Sequence, residues 1–114
     1  MDIAGYRQRI EGELKALAQA SAGAKADRAP VELDQQSVGR LSRMDAMQVQ
    51  AMAKETERRR QGRMDTLHAA LKRMDEGEFG FCVACGEQIA AKRLDLDPAV
   101  ATCIDCAGGS RQGA

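Results

Sequence analysis

The chain has 114 residues, with 17 Lys and Arg against 17 Asp and Glu, so its formal charge is zero. That balance argues against a broad, sequence-independent grip on nucleic acid, which needs a basic excess. Tyr6, Phe79 and Phe81 are the only aromatic residues, while Ala, Leu, Met, Arg, Gln and Glu dominate, a composition of helices sharing a narrow seam and not of a thick core.

From Asp2 to about Ala20, apolar residues fall at Ile3, Tyr6, Ile10, Leu14 and Leu17, a heptad-like spacing. Arg7, Arg9, Glu11, Glu13 and Lys15 occupy much of the remaining surface, so this segment is expected to be an amphipathic helix. From Ser21 to Leu33 the pattern breaks at Ser21, Gly23, Asp27 and Pro30. Asp34 or Ser37 can then cap a second helix by accepting a free backbone N–H.

From about Asp34 to Asp75 no proline interrupts the chain. Val38, Leu41, Met44, Met47 (or Gln48), Ala51 and Met52 give one apolar stripe. Met64, Leu67, Leu71 and Met74 give another. Between them, Lys54 to Arg63 holds five basic and two acidic residues. A helix of about 40 residues would extend ~60 Å. The first helix is expected to fold back on it antiparallel and to cover roughly residues 36–57, with the polar 54–63 stretch lying where that cover runs out.

From Gly77 onward, glycines and Pro98 punctuate a short-looped module. Its cysteines read Cys82-Val-Ala-Cys85 and Cys103-Ile-Asp-Cys106, separated by 17 residues. Two Cys-x2-Cys pairs at this separation are a zinc signature, because each turn aims two sulfurs at one point and two turns complete a tetrahedron. Gly86 suits the tight turn that exposes backbone N–H groups to sulfur. Two disulfides would require an oxidising compartment, a redox pair would normally sit beside a strand–helix–strand pattern, and an iron–sulfur cluster, open to four thiolates, usually uses other spacings. The reading is one structural Zn2+ held by Cys82, Cys85, Cys103 and Cys106. Four thiolates leave no open position for chemistry, and about 30 residues make too small an apolar core without metal.

The remaining candidates are weaker. His68, the single histidine, has no second ligand beside it. The methionines suit adaptable seam packing. Arg58, Arg59, Arg60 and Arg63 form a basic helix face suited to electrostatic contact with a partner. No phosphate-cradling loop, catalytic carboxylate pair or nucleophile–base pair is visible, so an enzyme is not expected. No stretch approaches the ~18 apolar residues of a membrane span, and Met1 to Ile10 lacks the apolar run of a secretory leader, which places the expected location in the cytoplasm.

The segment Gly77-Glu-Phe-Gly-Phe-Cys-Val-Ala-Cys-Gly-Glu-Gln-Ile, with Lys92-Arg-Leu, Asp97-Pro and Thr102-Cys-Ile-Asp-Cys, resembles the DksA/TraR family of bacterial zinc-finger regulators, closely over about residues 70–107. The resemblance implies binding to RNA polymerase and not to DNA. A coiled-coil tip would enter the secondary channel and change promoter-complex lifetime, in some members together with the alarmone ppGpp. The best-known members carry Asp-x-x-Asp-x-Ala at the tip. This chain offers Asp34-Gln-Gln-Ser37-Val-Gly39, which keeps only the first Asp, with Asp45-Ala46 as a second acidic candidate. Positions that are basic in the best-known member are here Thr66, Asp97 and Ala107, so the resemblance implies that this chain alone does not complete a ppGpp site.

The expected architecture is mainly α: an antiparallel helical hairpin over 1–76 with a tip loop near 21–36, a four-cysteine zinc finger over 77–107 ending in a short helix, and a flexible tail at 108–114. Asp34, Ser37, Asp45, Arg58 and Arg59 are the candidate contacts to RNA polymerase. Two other readings stay open: a zinc-stabilised adaptor for a different protein, and weak nucleic-acid binding by the finger. Lys92 and Arg93 permit the latter, while Asp95, Asp97 and Asp105 oppose it.

Overall fold

The computed structural model describes residues 1–29 and 40–108, without the side chains of residues 40–42. Helix α1 runs Ile3–Gly23 and is followed by one 3-10 turn, Lys25–Arg28. Helix α2 runs Arg40–Asp75, and two short helices follow, α3 (Ala91–Leu96) and α4 (Ile104–Ala107). Among the described residues, extended pairing is limited to one antiparallel bridge between Phe81 and Gln88. The mainly helical expectation is therefore met.

The helix ends follow local chemistry. Asp2 caps α1, its Oδ1 accepting the Gly5 N–H at 2.9 Å. α1 continues through Ser21 to Gly23, three residues into the segment expected to be loop. At the other end of the hairpin, α2 stops where predicted. Gly77 takes φ +74°, its N–H bonds to the Met74 carbonyl, and the Glu78 N–H bonds back to Arg73 at 2.8 Å. This paired closure satisfies carbonyls that the last helical turn would leave open, and only glycine enters the left-handed region without strain.

The chain forms two compact units: the described residues of Met1–Leu14 with Met64–Ala114, and those of Lys15–Arg63. The first contains the apolar core. Tyr6, Phe79, Cys82, Ile89, Leu94 and Cys106 are buried together, with Met74, Cys85, Val100 and Cys103 packed against them. The rings of Tyr6 and Phe79 lie 5.7 Å apart, tilted by 48°. The Tyr6 hydroxyl donates to Asp95 on α3, and Arg7 pairs with Asp75 at 2.8 Å. Ile10, Leu67 and Ala70 are also buried in this unit. Grouping by contact thus joins the start of α1 and the end of α2 to the finger, whereas the expected boundary at residue 76 followed the chain.

These contacts correct the expected register. α1 meets α2 at Asp75 through Arg7 in the first unit, and at Glu57 through Ser21 in the second. The order is antiparallel, as expected, but these contacts run from Glu57 to Asp75, so they reach only the last of the roughly 36–57 stretch that was expected to be covered. Tyr6 decides this: its ring and hydroxyl seat the start of α1 against Phe79 and Asp95. The stripe that gains cover is Met64, Leu67, Leu71 and Met74. Met44, Met47 and Met52 remain exposed.

Candidate metal centre

The finger is assembled by backbone bonds before any metal is considered. The Gly86 N–H bonds to the Cys82 carbonyl at 2.8 Å, and the Cys82 N–H to the Glu87 carbonyl at 2.8 Å, closing a tight loop around the first cysteine pair. Gly86 supplies the φ of +78° that this loop requires. The second pair opens α4: Cys103 precedes the helix, and its carbonyl accepts the Ala107 N–H at 2.9 Å. The two limbs are tied by the Val83 N–H on the Ala101 carbonyl at 2.9 Å and by Arg93 Nε on the Thr102 carbonyl at 2.8 Å. Asp97 accepts the Ala99 N–H at 3.0 Å, which fixes the turn around Pro98.

Folding thereby brings the four cysteine sulfurs within 4.8 Å of one another. Cys85 Sγ and Cys103 Sγ lie 3.8 Å apart, and all four cysteines are free of disulfides. A tetrahedron with Zn–S of ~2.3 Å has sulfur–sulfur edges of ~3.8 Å, whereas a disulfide needs ~2.05 Å. The donor set therefore fits a tetrahedral, thiophilic cation.

The acidities show why a cation belongs there. Backbone N–H groups, that of Cys103 foremost and then those of Cys85 and Ala84, hold the Cys82 thiol down to about 6. The Cys106 thiol is pushed up to about 12, first by its hydrogen bond with Cys103 and then by burial. The Glu87 N–H favours a Cys85 thiolate, but burial and the Cys82 and Cys103 sulfurs outweigh it and raise that group. Four thiolates at this spacing repel one another, and a divalent ion at their centre removes that repulsion. Cys82 and Cys106 also form part of the apolar core, so the metal site and the packing are one structure.

The other candidate residues are not gathered into this site. Asp34 and Ser37 lie outside the described residues. Asp45 is exposed on α2. Arg58 and Arg59 are exposed as expected, yet both bind Glu55, at 2.7 Å and 3.3 Å. The Arg58 hydrogen bond, with burial opposing it, holds the Glu55 carboxyl down to about 2. His68 is exposed. The sequence reading missed the roles of Tyr6, Asp95 and Arg93, whose partners lie far away along the chain. It also missed a half-buried group of Ser21, Arg28, Glu57 and Arg60. The acidic residues Glu55 and Glu57, directly followed by Arg58, Arg59 and Arg60, were its one visible signal.

Comparison with known proteins adds the following. The prokaryotic dksA/traR C4-type zinc finger matches residues 77–112. An RNA polymerase-binding transcription factor DksA from Haemophilus influenzae is 44% identical over 43 residues, 38% of this chain and 30% of that protein. The Escherichia coli K12 factor of the same name is 38% identical over 40 residues, 35% of this chain and 26% of that protein. The matched segments therefore span under a third of those relatives' length. The fold resembles transcription factor DksA2 from Pseudomonas aeruginosa, with a TM-score of 0.75 and 18% identity, covering 96% of this chain and 82% of that one. The finger and the cysteine geometry together assign this chain one structural zinc ion.

Proposed function

We propose that this chain, whose C-terminal segment is a DksA/TraR-type zinc finger on a DksA2-like fold, is a transcription regulator that docks on RNA polymerase. The observation that carries the reading is the finger, matched as a family over residues 77–112 and built around a closed four-thiol site. Cys82, Cys85, Cys103 and Cys106 are its proposed zinc ligands. The metal's role is structural, because four thiolates fill the tetrahedron and leave no position for a substrate or an activated water. The zinc-bearing module anchors the protein, and the connection between α1 and α2 is the working end, with Asp34 and Ser37 as its acting residues and Asp45, near the start of α2, as a further one. Arg58 and Arg59 lie on an exposed face of α2, where they can contact the polymerase. The proposed location is the cytoplasm, with the polymerase.

The adaptor and nucleic-acid readings are less well supported. A neutral chain lacks the charge for backbone binding, and Arg93 already gives its Nε to the Thr102 carbonyl. The deciding experiment is co-purification with core RNA polymerase, followed by open-complex lifetime with and without the protein. Asp34→Asn should leave binding intact and abolish the lifetime effect. No binding to polymerase would move the assignment to an adaptor for another protein, and a strongly salt-dependent shift on bare DNA would favour the nucleic-acid reading. We further propose that this chain does not complete a ppGpp site, since Thr66, Asp97 and Ala107 carry no positive charge. Tight ppGpp binding by the complex, lost on changing residues near Asp97, would refute that.

A further inference from the structure

The unit Lys15–Arg63 is arranged unlike the zinc-bearing unit. None of its described residues is a fully buried apolar side chain. Its large apolar residues Met44, Met47, Val49 and Met52 face solvent. Among its charged side chains, those of Glu57, Arg60 and Arg28 are only 15%, 16% and 20% exposed. Glu57 is the hub. Its Oε1 pairs with Arg60 at 2.6 Å and Arg28 at 3.2 Å. Its Oε2 accepts from Ser21 Oγ at 2.6 Å and from Gln61 Nε2 at 2.7 Å.

The cluster joins three elements. Ser21 lies in the last turn of α1, Arg28 in the 3-10 turn, and Glu57, Arg60 and Gln61 in α2. Arg28 also donates to the Ser21 carbonyl at 3.0 Å, satisfying an acceptor near the α1 C-terminus. Gln50 of α2 donates to the Ala29 carbonyl at 2.6 Å, which holds the exit of the 3-10 turn. The C-terminal end of that turn is thus pinned to α2 by two polar contacts, at Arg28 and at Ala29.

We propose that Glu57, with Ser21, Arg28 and Arg60, forms an ionic clasp that holds the α1 end and the 3-10 turn on α2, and that this clasp opens while the zinc-bearing unit stays folded. The two units are held by forces of different kind. Apolar burial and metal coordination hold the first and respond little to moderate salt. Opposite charges hold the second, and the Debye length falls from ~10 Å at 0.1 M to ~3 Å at 1 M salt. Removing the hub charge would also leave two half-buried guanidinium groups facing each other. Proteins open in cooperative segments whose stabilities differ, and a segment lacking buried apolar contacts belongs at the low end. On the polymerase reading, this would let the end of α1 and the 3-10 turn be held or released without disturbing the anchor. The clasp itself does not depend on that reading.

The test is amide hydrogen exchange, followed by mass spectrometry, on the zinc-loaded full chain without polymerase. Glu57→Gln keeps the side-chain shape and removes the charge. Arg58→Gln, at an exposed pair, is the control. Glu57→Gln should speed exchange across Lys15–Arg28 at least ~10-fold and leave Phe79–Cys106 unchanged. Wild-type protein in 1 M NaCl should move the same amides in the same direction, and Arg58→Gln should move neither set. Unchanged exchange at Lys15–Arg28 in Glu57→Gln, or equal loss of protection in both units, would overturn the proposal. Because polymerase is absent from the assay, failure here and failure of the polymerase reading are separate results.

Discussion

Leu94 and Leu96 are two residues apart on α3, and their truncation should have very unequal consequences. Leu94 is fully buried among Tyr6, Phe79, Cys82, Ile89 and Cys106, whereas Leu96 is 86% exposed. Leu94→Ala removes about three methylene equivalents, ~2.4 kcal/mol at ~0.8 each. The surroundings cannot close fully, because the site is walled by the Gly80 loop, where an added Cβ would sit 3.9 Å from Leu94 Cδ1. A residual cavity of ~30 Å³ at ~24 cal/mol per Å³ adds ~0.7 kcal/mol. The total of ~3 kcal/mol corresponds to ~150-fold in the unfolding equilibrium and should lower Tm on the order of 10 °C. Leu96→Ala should fall within ~0.5 kcal/mol of wild type. The assay is urea unfolding of the zinc-saturated chain followed by circular dichroism. Equal losses for the two variants, or no loss for Leu94→Ala, would refute the assignment of Leu94 to the core.

Three further outcomes follow from the geometry. Gly86→Ala meets no neighbouring atom within 4 Å but must hold φ +78°, so it should cost ~1–2 kcal/mol of pure backbone strain. A chelator competition would read that as roughly tenfold weaker zinc binding, partly restored in Gly86→Asn. Replacing Met44, Met47 and Met52 together by Gln should leave thermal stability almost unchanged, because the side chains are already exposed; a large fall in Tm would restore the originally expected seam. Acid should loosen the Glu57 clasp. Hydrogen bonds from Ser21 first, then Gln61 and Arg60, with Arg28 beside them, hold its carboxyl from an ordinary value near 4.5 down to about 2. A folded pKa below the unfolded one gives stability that is present above ~4.5 and lost as pH falls toward 2. Exchange at Ser21–Arg28 should therefore quicken from pH 5 to pH 3 after correction for the intrinsic rate, and Glu57→Gln should remove that dependence.

The sequence alone determined what is set locally. Cysteine spacing specified the metal site because a Cys-x2-Cys turn needs only its own backbone and Gly86. Gly77 marked the end of α2 because a left-handed residue there is a local demand. Helical periodicity over Tyr6–Leu17 and Met64–Met74 marked the stripes that are covered. The pairing register was decided by tertiary structure. The stripe over Met44–Met52 has the same periodicity as the one over Met64–Met74, so hydrophobic pattern could not rank them. The Tyr6 ring on Phe79 and its hydroxyl on Asp95 did, across most of the chain length. The same long-range choice placed Ser21 and Arg28 beside Glu57 and Arg60. A basic run read along the sequence as a face for partner contact thereby became, in part, a sheltered ionic hub.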